Sequence, residues 1–190
     1  IGTYHYYVVG IGPRSSNSCT QTRAITVTVT NCGSSLSLKT MLEGAYDPNA
    51  TNMRDGLRSQ SLVPVQEPYT ALGYAFVQGG GETIQPSVLN IAGANAIVDW
   101  VVIEFRDSAD ARLIVKSRAA LIQRDGDIVD MDGVSAINPG LSGRYYIAIN
   151  HRNHLPTMTA NPVQLGQAHG AIDFTDPNFA VYGGVSARCI

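Results

Sequence analysis

Residues 95–107 read NAIVDWVVIEFRD, the most apolar segment of the chain. In this stretch Val101, Ile103 and Phe105 are expected to face one way and Val98, Trp100 and Val102 the other. Period-two alternation in β-branched and aromatic residues marks a strand, and apolar residues on both sides mark one buried on both faces. The segment is therefore expected to be a central strand. ARLIVKSRAALIQR at 111–124 follows as one long or bent strand. RYYIAINHR at 144–152 supplies a further strand with Tyr145, Ile147 and Ile149 on one face.

Around this centre the chain is punctuated by turn signals. Asp125-Gly126 and Asp132-Gly133 suggest two-residue type I′ hairpin turns, with Arg124 falling opposite Asp127 as a cross-strand charge pair. Pro139-Gly140 adds another turn. Upstream, LSLKTMLEG at 36–44 alternates Leu36, Leu38, Thr40 and Leu42 against Ser37, Lys39 and Met41. TALGYAFVQ at 70–78 reads as a strand broken by GGGET at 79–83. Residues 44–69, with Pro48, Pro64 and Pro68, read as a long loop, and such loops tend to be functional or packed down by their own side chains. Short strands without sustained helical periodicity imply an all-β fold, an antiparallel β-sandwich of Ig-like or jelly-roll type. A tyrosine near the start of a late strand, here in RYYIAINHR, commonly ties down a sandwich corner through its hydroxyl.

The amino end reads differently. TYHYYVV at 3–9 and RAITVTVTN at 23–31 are both strand-like, with Tyr4, Tyr6 and Val8 on one face of the first and Ile25, Val27 and Val29 on one face of the second. Together they resemble the last hairpin of a domain. A lone two-stranded hairpin is marginal in water, so these apolar rows require a cover. The expected division is residues 1–31 as this terminal hairpin and residues 32–190 as the sandwich. Beginning at Ile rather than Met, the chain is expected to be processed or a portion of something longer.

Composition narrows the function classes. Of 190 residues 44% are hydrophobic and 15% charged, below the usual figure of about 25% for soluble domains, and the net charge is −2. Lys39 and Lys116 are the only lysines, and the arginines are scattered. No basic cluster recommends nucleic acid as a partner, and no apolar run is long enough for a helical membrane span. Three cysteines stand at Cys19, Cys32 and Cys189, in no zinc-like spacing. Cys19 and Cys32 flank a strand of about 30 Å at roughly 3.3 Å per residue and are not expected to bridge each other. Cys189 is left to pair with either, within the chain or across to a neighbouring copy, and Cys32–Cys189 is the favoured pairing.

From about residue 38 to 182 the chain resembles a module found near the C-terminus of very large secreted surface proteins of Bacteroidota-type bacteria. These proteins are often termed haemagglutinin-like or adhesin-like and are exported by the type IX system. The resemblance rests on MLEGAYDP, MRDGLR, EPYTALGY, GGGET, NAIVDWVVIEFRD, LIQRDGDIVDMDG and YYIAINHRNHLPTMT, in that order. Residues 1–31 are similar to the end of the Ig-like repeat that commonly precedes the module. The resemblance implies an extracellular, non-catalytic, multidomain surface protein and names no ligand.

Several residues invite chemistry. Asp125, Asp127, Asp130 and Asp132 offer hard oxygen ligands for calcium, but the stretch lacks the third carboxylate and the glutamate of an EF-hand loop, and two hairpin turns explain it as well. His151 and His154 invite a metal or catalytic reading. The plainer expectation is a structural hydrogen-bond cluster of His151, Arg152 and His154 reaching Asp99 or Glu104 on the central strand. Ser108, in Asp-Ser-Ala, resembles an O-glycosylation acceptor of these bacteria, and it equally suits a polar turn. No nucleophile elbow or phosphate loop is present, so no enzyme and no cofactor are expected. The expected function is that of a structural subunit of a surface fibre or adhesin, a homo-oligomer or filament joined by strand contacts between copies. The alternatives are a glycan- or host-surface-binding module, motivated by Tyr46 and Tyr69 in the long loop, and a spacer domain.

Overall fold

A computed structural model of the chain describes residues 2–10, 21–29, 35–166 and 170–184. The chain divides into two compact units, residues 1–32 and residues 33–190. In the first, β1 (Gly2–Gly10) pairs antiparallel with β2 (Gln21–Val29) in an unbroken register from Gly2 opposite Val29 to Gly10 opposite Gln21. Tyr4 stands opposite Val27 and Tyr6 opposite Ile25, so the rows read from the sequence share register positions. Cys19, Cys32 and Cys189, and with them the question of disulfide pairing, lie outside the described residues.

The second unit is all-β and sandwich-like. Its strands are β3 (Leu38–Lys39), β4 (Tyr46–Asp47), β5 (Asn52–Met53), β6 (Ile97–Asp107), β7 (Ile114–Gln123), β8 (Asp127–Val129), β9 (Gly143–His151), β10 (His154–Met158), β11 (Val163–Leu165) and β12 (Ile172–Asp173). One sheet runs β10-β9-β6-β7-β8-β3-β12, with β11 also on β9, and β4–β5 form a second small sheet. All pairings are antiparallel except β12 on β3. The long loop of the sequence reading thus contains the β4–β5 hairpin and one helical turn, α1 (Gly56–Ser59).

Strand β6 is central and buried on both faces. Val101, Ile103 and Phe105 join Ala120, Ile122, Ile147 and Ile149 in one core layer, closed by Leu36, Leu38, Met53 and Ile137. Trp100 and Val102 join Ala119 and Leu121 in the other, closed by Val63, Tyr69 and Ile84 from largely irregular chain and by Val88 from a 3-10 turn at Pro86–Asn90. Val98 departs from the expected alternation. A bulge between Ile97 and Asp99 inserts one residue, and Val98 falls in with Val101 rather than with Trp100. The burial of Leu36, Leu38, Thr40 and Leu42 follows the period-two reading, although regular strand pairing there is confined to β3. Tyr145 Oη donates to Ser142 O at 3.2 Å, tying the start of β9 to its own corner.

Three local expectations are corrected. Residues 70–78 form turns and irregular chain, not a strand. Gly73 sits at φ +86°, and at Gly79 a Cβ would stand 2.1 Å from Ser117 O, so this segment packs its backbone against β7 instead of extending the sheet. Neither Asp-Gly pair forms a type I′ turn, which needs positive φ at both central residues, because among the described residues the non-glycine positive-φ positions are Thr51, Ser61 and Gln78. Between β7 and β8 the loop is three residues long, with Gly126 at φ +94° and its N–H on Gln123 O at 2.9 Å. Finally, Asp127 pairs with its register partner Lys39 at 3.3 Å, while Arg124 turns to Met53 O at 2.8 Å and Asp55 at 3.8 Å.

Candidate functional site

The antiparallel pairing of β6 and β9 brings the start of one strand to the end of the other, and there Asp99 meets His151. Asp99 is 1% exposed. Its Oδ1 accepts the Trp100 N–H at 2.8 Å, and its Oδ2 lies 3.1 Å from His151 Nε2 and 2.6 Å from an Arg152 guanidinium nitrogen. His154 opens β10 directly opposite His151 in the hairpin register. Residues three apart do not share a face along one strand, but cross-strand partners do. Their ring centroids are 4.8 Å apart and the two Nδ1 atoms 2.8 Å apart.

The hydrogen bonds fix the tautomers. Gly44 N–H can only donate, and it donates to His154 Nε2 at 3.0 Å. A neutral His154 therefore carries its hydrogen on Nδ1 and gives it to His151 Nδ1, which also accepts the Asn153 N–H at 3.2 Å. His151 then carries its hydrogen on Nε2, facing the Asp99 carboxylate. Three joints hold three hydrogens, all pointing from Gly44 towards Asp99, with both rings neutral. Burial first, and the neighbouring His151 second, hold the His154 imidazole below its usual pKa, against opposing pulls from Glu43 and Asp99.

Beside the cluster lies a cavity of about 470 Å³. Leu42, Ala45, Leu57 and Val98 give it an apolar lining, and Arg54 and Gln60 stand at its wall. Both ring nitrogens of each histidine are engaged within the protein, so the cluster as it stands holds a loop to a sheet and presents no open base. Among the described residues no three His, Cys, Asp or Glu side chains are grouped to hold a metal ion.

Of the residues singled out from sequence, Asp99, His151, Arg152 and His154 come together and Glu104 does not. Five positions along β6 from Asp99, Glu104 has the opposite parity and so the opposite face. It accepts Tyr74 Oη at 2.6 Å and an Arg106 nitrogen at 2.5 Å. Asp125, Asp127, Asp130 and Asp132 do not converge either. Asp125 Oδ1 accepts the Asp127 N–H, Asp127 faces Lys39, Asp130 pairs with Arg118 at 2.5 Å, and Asp132 accepts from Val134 and Ser135. Ser108 is exposed in the β6–β7 turn, where Asp107 Oδ1 accepts the Ala109 N–H at 2.8 Å. Tyr69 is buried and donates to Trp100 O at 2.8 Å, with burial first and the Asp99 charge second raising its pKa; Tyr46 remains exposed. Sequence reasoning missed Gly44, which lies 110 residues from its histidine partner with no local signal to join them. No family model matches this chain, and no curated protein or solved structure does either.

Proposed function

We propose that the chain is a non-enzymatic structural module of a secreted bacterial surface fibre or adhesin, in which the β1–β2 ribbon is completed by strands of a neighbouring copy. The observation that carries this reading is the ribbon itself. It is a nine-pair, two-stranded sheet in a unit of its own, and among the described residues no third strand joins it. Two-stranded sheets are marginal alone, and their edges are templates for main-chain pairing with another chain. The alternation of Ile25, Val27 and Val29 with threonines calls for a cover on one face. One copy's end meeting another copy's body is a heterologous contact, the kind that propagates into filaments. The surface location rests on the resemblance of residues 38–182.

Light scattering coupled to size exclusion, with and without reductant, tests it. The full chain is expected to form species that grow with concentration, and Val27→Asp to shift them towards monomer more strongly than Thr28→Asp. A monomer under both conditions, with amides of 2–10 and 21–29 protected from exchange, overturns the reading. Intact mass of the native polypeptide separates it from a spacer role, in which further strands of the same polypeptide cover the ribbon. The glycan-binding alternative loses one of its two tyrosines, since Tyr69 is committed to the core.

A further inference from the structure

The three-joint chain from Gly44 to Asp99 has a property that its members lack singly: it accommodates neither fewer nor more hydrogens than two neutral rings supply. An added proton on His154 Nε2 would point at the Gly44 N–H. Placed instead on His151 Nδ1, it would point at the His154 Nδ1–H and the Asn153 N–H. Moving the His154 hydrogen to Nε2 relieves the joint between the rings and transfers the conflict to Gly44. At the far end the Asp99 carboxylate is shared between the Arg152 guanidinium and the His151 Nε2–H, and neither contact relieves a proton added at the joint with Gly44 or between the rings.

We propose that the His151–His154 pair is an acid-released clasp: neutral, it ties the turn at 43–45 to the end of the central sheet, and one added proton frees that turn and widens the cavity behind it. Apart from the packing of Ala45 on the core, the turn has few other hydrogen bonds to the sheet. Ala45 and Tyr46 donate back to Leu42 O, and Arg54 donates to Ala45 O, all within the 42–54 segment. The segment's anchors lie at its ends, where Thr40 N–H meets Gly126 O and Met53 N–H meets Arg124 O. The turn between these anchors is therefore the part that the Gly44 joint restrains. Gly44 also permits the close approach, since a Cβ there would stand 3.1 Å from His154 Nε2.

The charged groups around His154 define the second state. On its own hairpin stand His151 and Arg152, from β6 comes Asp99, from the turn comes Glu43, and Arg54 lines the same cavity. Glu43, next in sequence to Gly44, is the acceptor we assign to the proton-bearing ring, and its charge opposes the depression of the His154 pKa caused by burial and His151. Acidification thus exchanges a backbone donor for a carboxylate acceptor. Each protonation state has its own partner, which a two-position device requires.

Nitrogen-15 NMR of the imidazoles, together with amide exchange on the full chain from about pH 8 to about pH 5, tests the clasp. At the upper end His154 is expected as the Nδ1–H tautomer and His151 as the Nε2–H tautomer, with Gly44 protected. Through the His154 titration the protection factor of Gly44, corrected for intrinsic exchange, is expected to fall about tenfold, the equivalent of one hydrogen bond, while the β6 and β7 amides hold. In His154→Gln, whose amide oxygen accepts the Gly44 N–H but gains no proton in this range, the profile is expected to be flat. Unchanged Gly44 protection through the titration, or equal loss in His154→Gln, overturns the proposal. So does finding the two rings in the same tautomer, a measurement that needs no variant to fold.

Discussion

Asp99 is almost fully buried, and its neighbours are arranged around its charge: a backbone N–H, an imidazole N–H and a guanidinium. Asp99→Asn removes the countercharge of Arg152 and turns an amide N–H towards donors. Breaking a buried pair of this kind costs about 3–5 kcal/mol, to be read as a lowered urea midpoint with unchanged slope. His154 gives the second prediction at this scale. Its folded pKa lies below the ordinary imidazole value of 6.5, so the unfolded chain takes up the proton first as pH falls. Its contribution to stability is complete above 6.5 and is lost as pH drops from there through the lower folded value. The urea midpoint is expected to be lower at about pH 5 than at about pH 7.5, and the difference smaller in His154→Gln. The convergence of His151, His154 and Asp99 was legible in the sequence because a hairpin turn makes cross-strand neighbours of residues that a strand would separate. Glu104 was misplaced for the converse reason: its separation from Asp99 is an odd number of residues, and parity alone puts it on the other face.

Among the elements, those with an uninterrupted pattern were the legible ones. The strands β6, β7 and β9 carry long apolar alternation, and the structure pairs them with one another. At 70–78 the local pattern was overruled by tertiary packing, because the glycines that follow let the chain lie against the β7 backbone. Gly79→Ala tests this, since its Cβ would fall 2.1 Å from a main-chain oxygen that no rotamer can move. The variant is expected to lower the thermal midpoint and to deprotect the Ser117 amide, which donates to Val77 O. Within β6, Phe105 is fully buried, and Phe105→Ala is expected to cost about 3–5 kcal/mol by chemical denaturation. The Asp-Gly turns were half legible: glycine does sit at positive φ in each, but loop length, which composition does not encode, set the turn type.

For the whole molecule, the all-β class followed from strand spacing, whereas the order of strands did not. Sheet order depends on pairings between distant segments, such as β3 with β8 and β12, and two-residue strands leave almost no local signature. Such non-local topologies fold in the millisecond-to-second range rather than in microseconds. The single tryptophan reports on it directly, since Trp100 is fully buried with its indole N–H on Pro64 O at 2.8 Å. Its emission is expected to be blue-shifted and shielded from acrylamide in the folded protein, and to recover in stopped-flow refolding on that slow timescale.

The position of β3 between β8 and β12 carries a consequence for biosynthesis. Leu38 pairs with Ile128 on one side and with Ile172 on the other, so an early-translated residue waits for two late ones. While the nascent chain emerges from the ribosome, the sheet cannot close on that side until residue 173 is free of the exit tunnel. The apolar central strand is made long before that moment, so any chaperone that escorts the nascent chain must shield it until the β12 segment has been delivered.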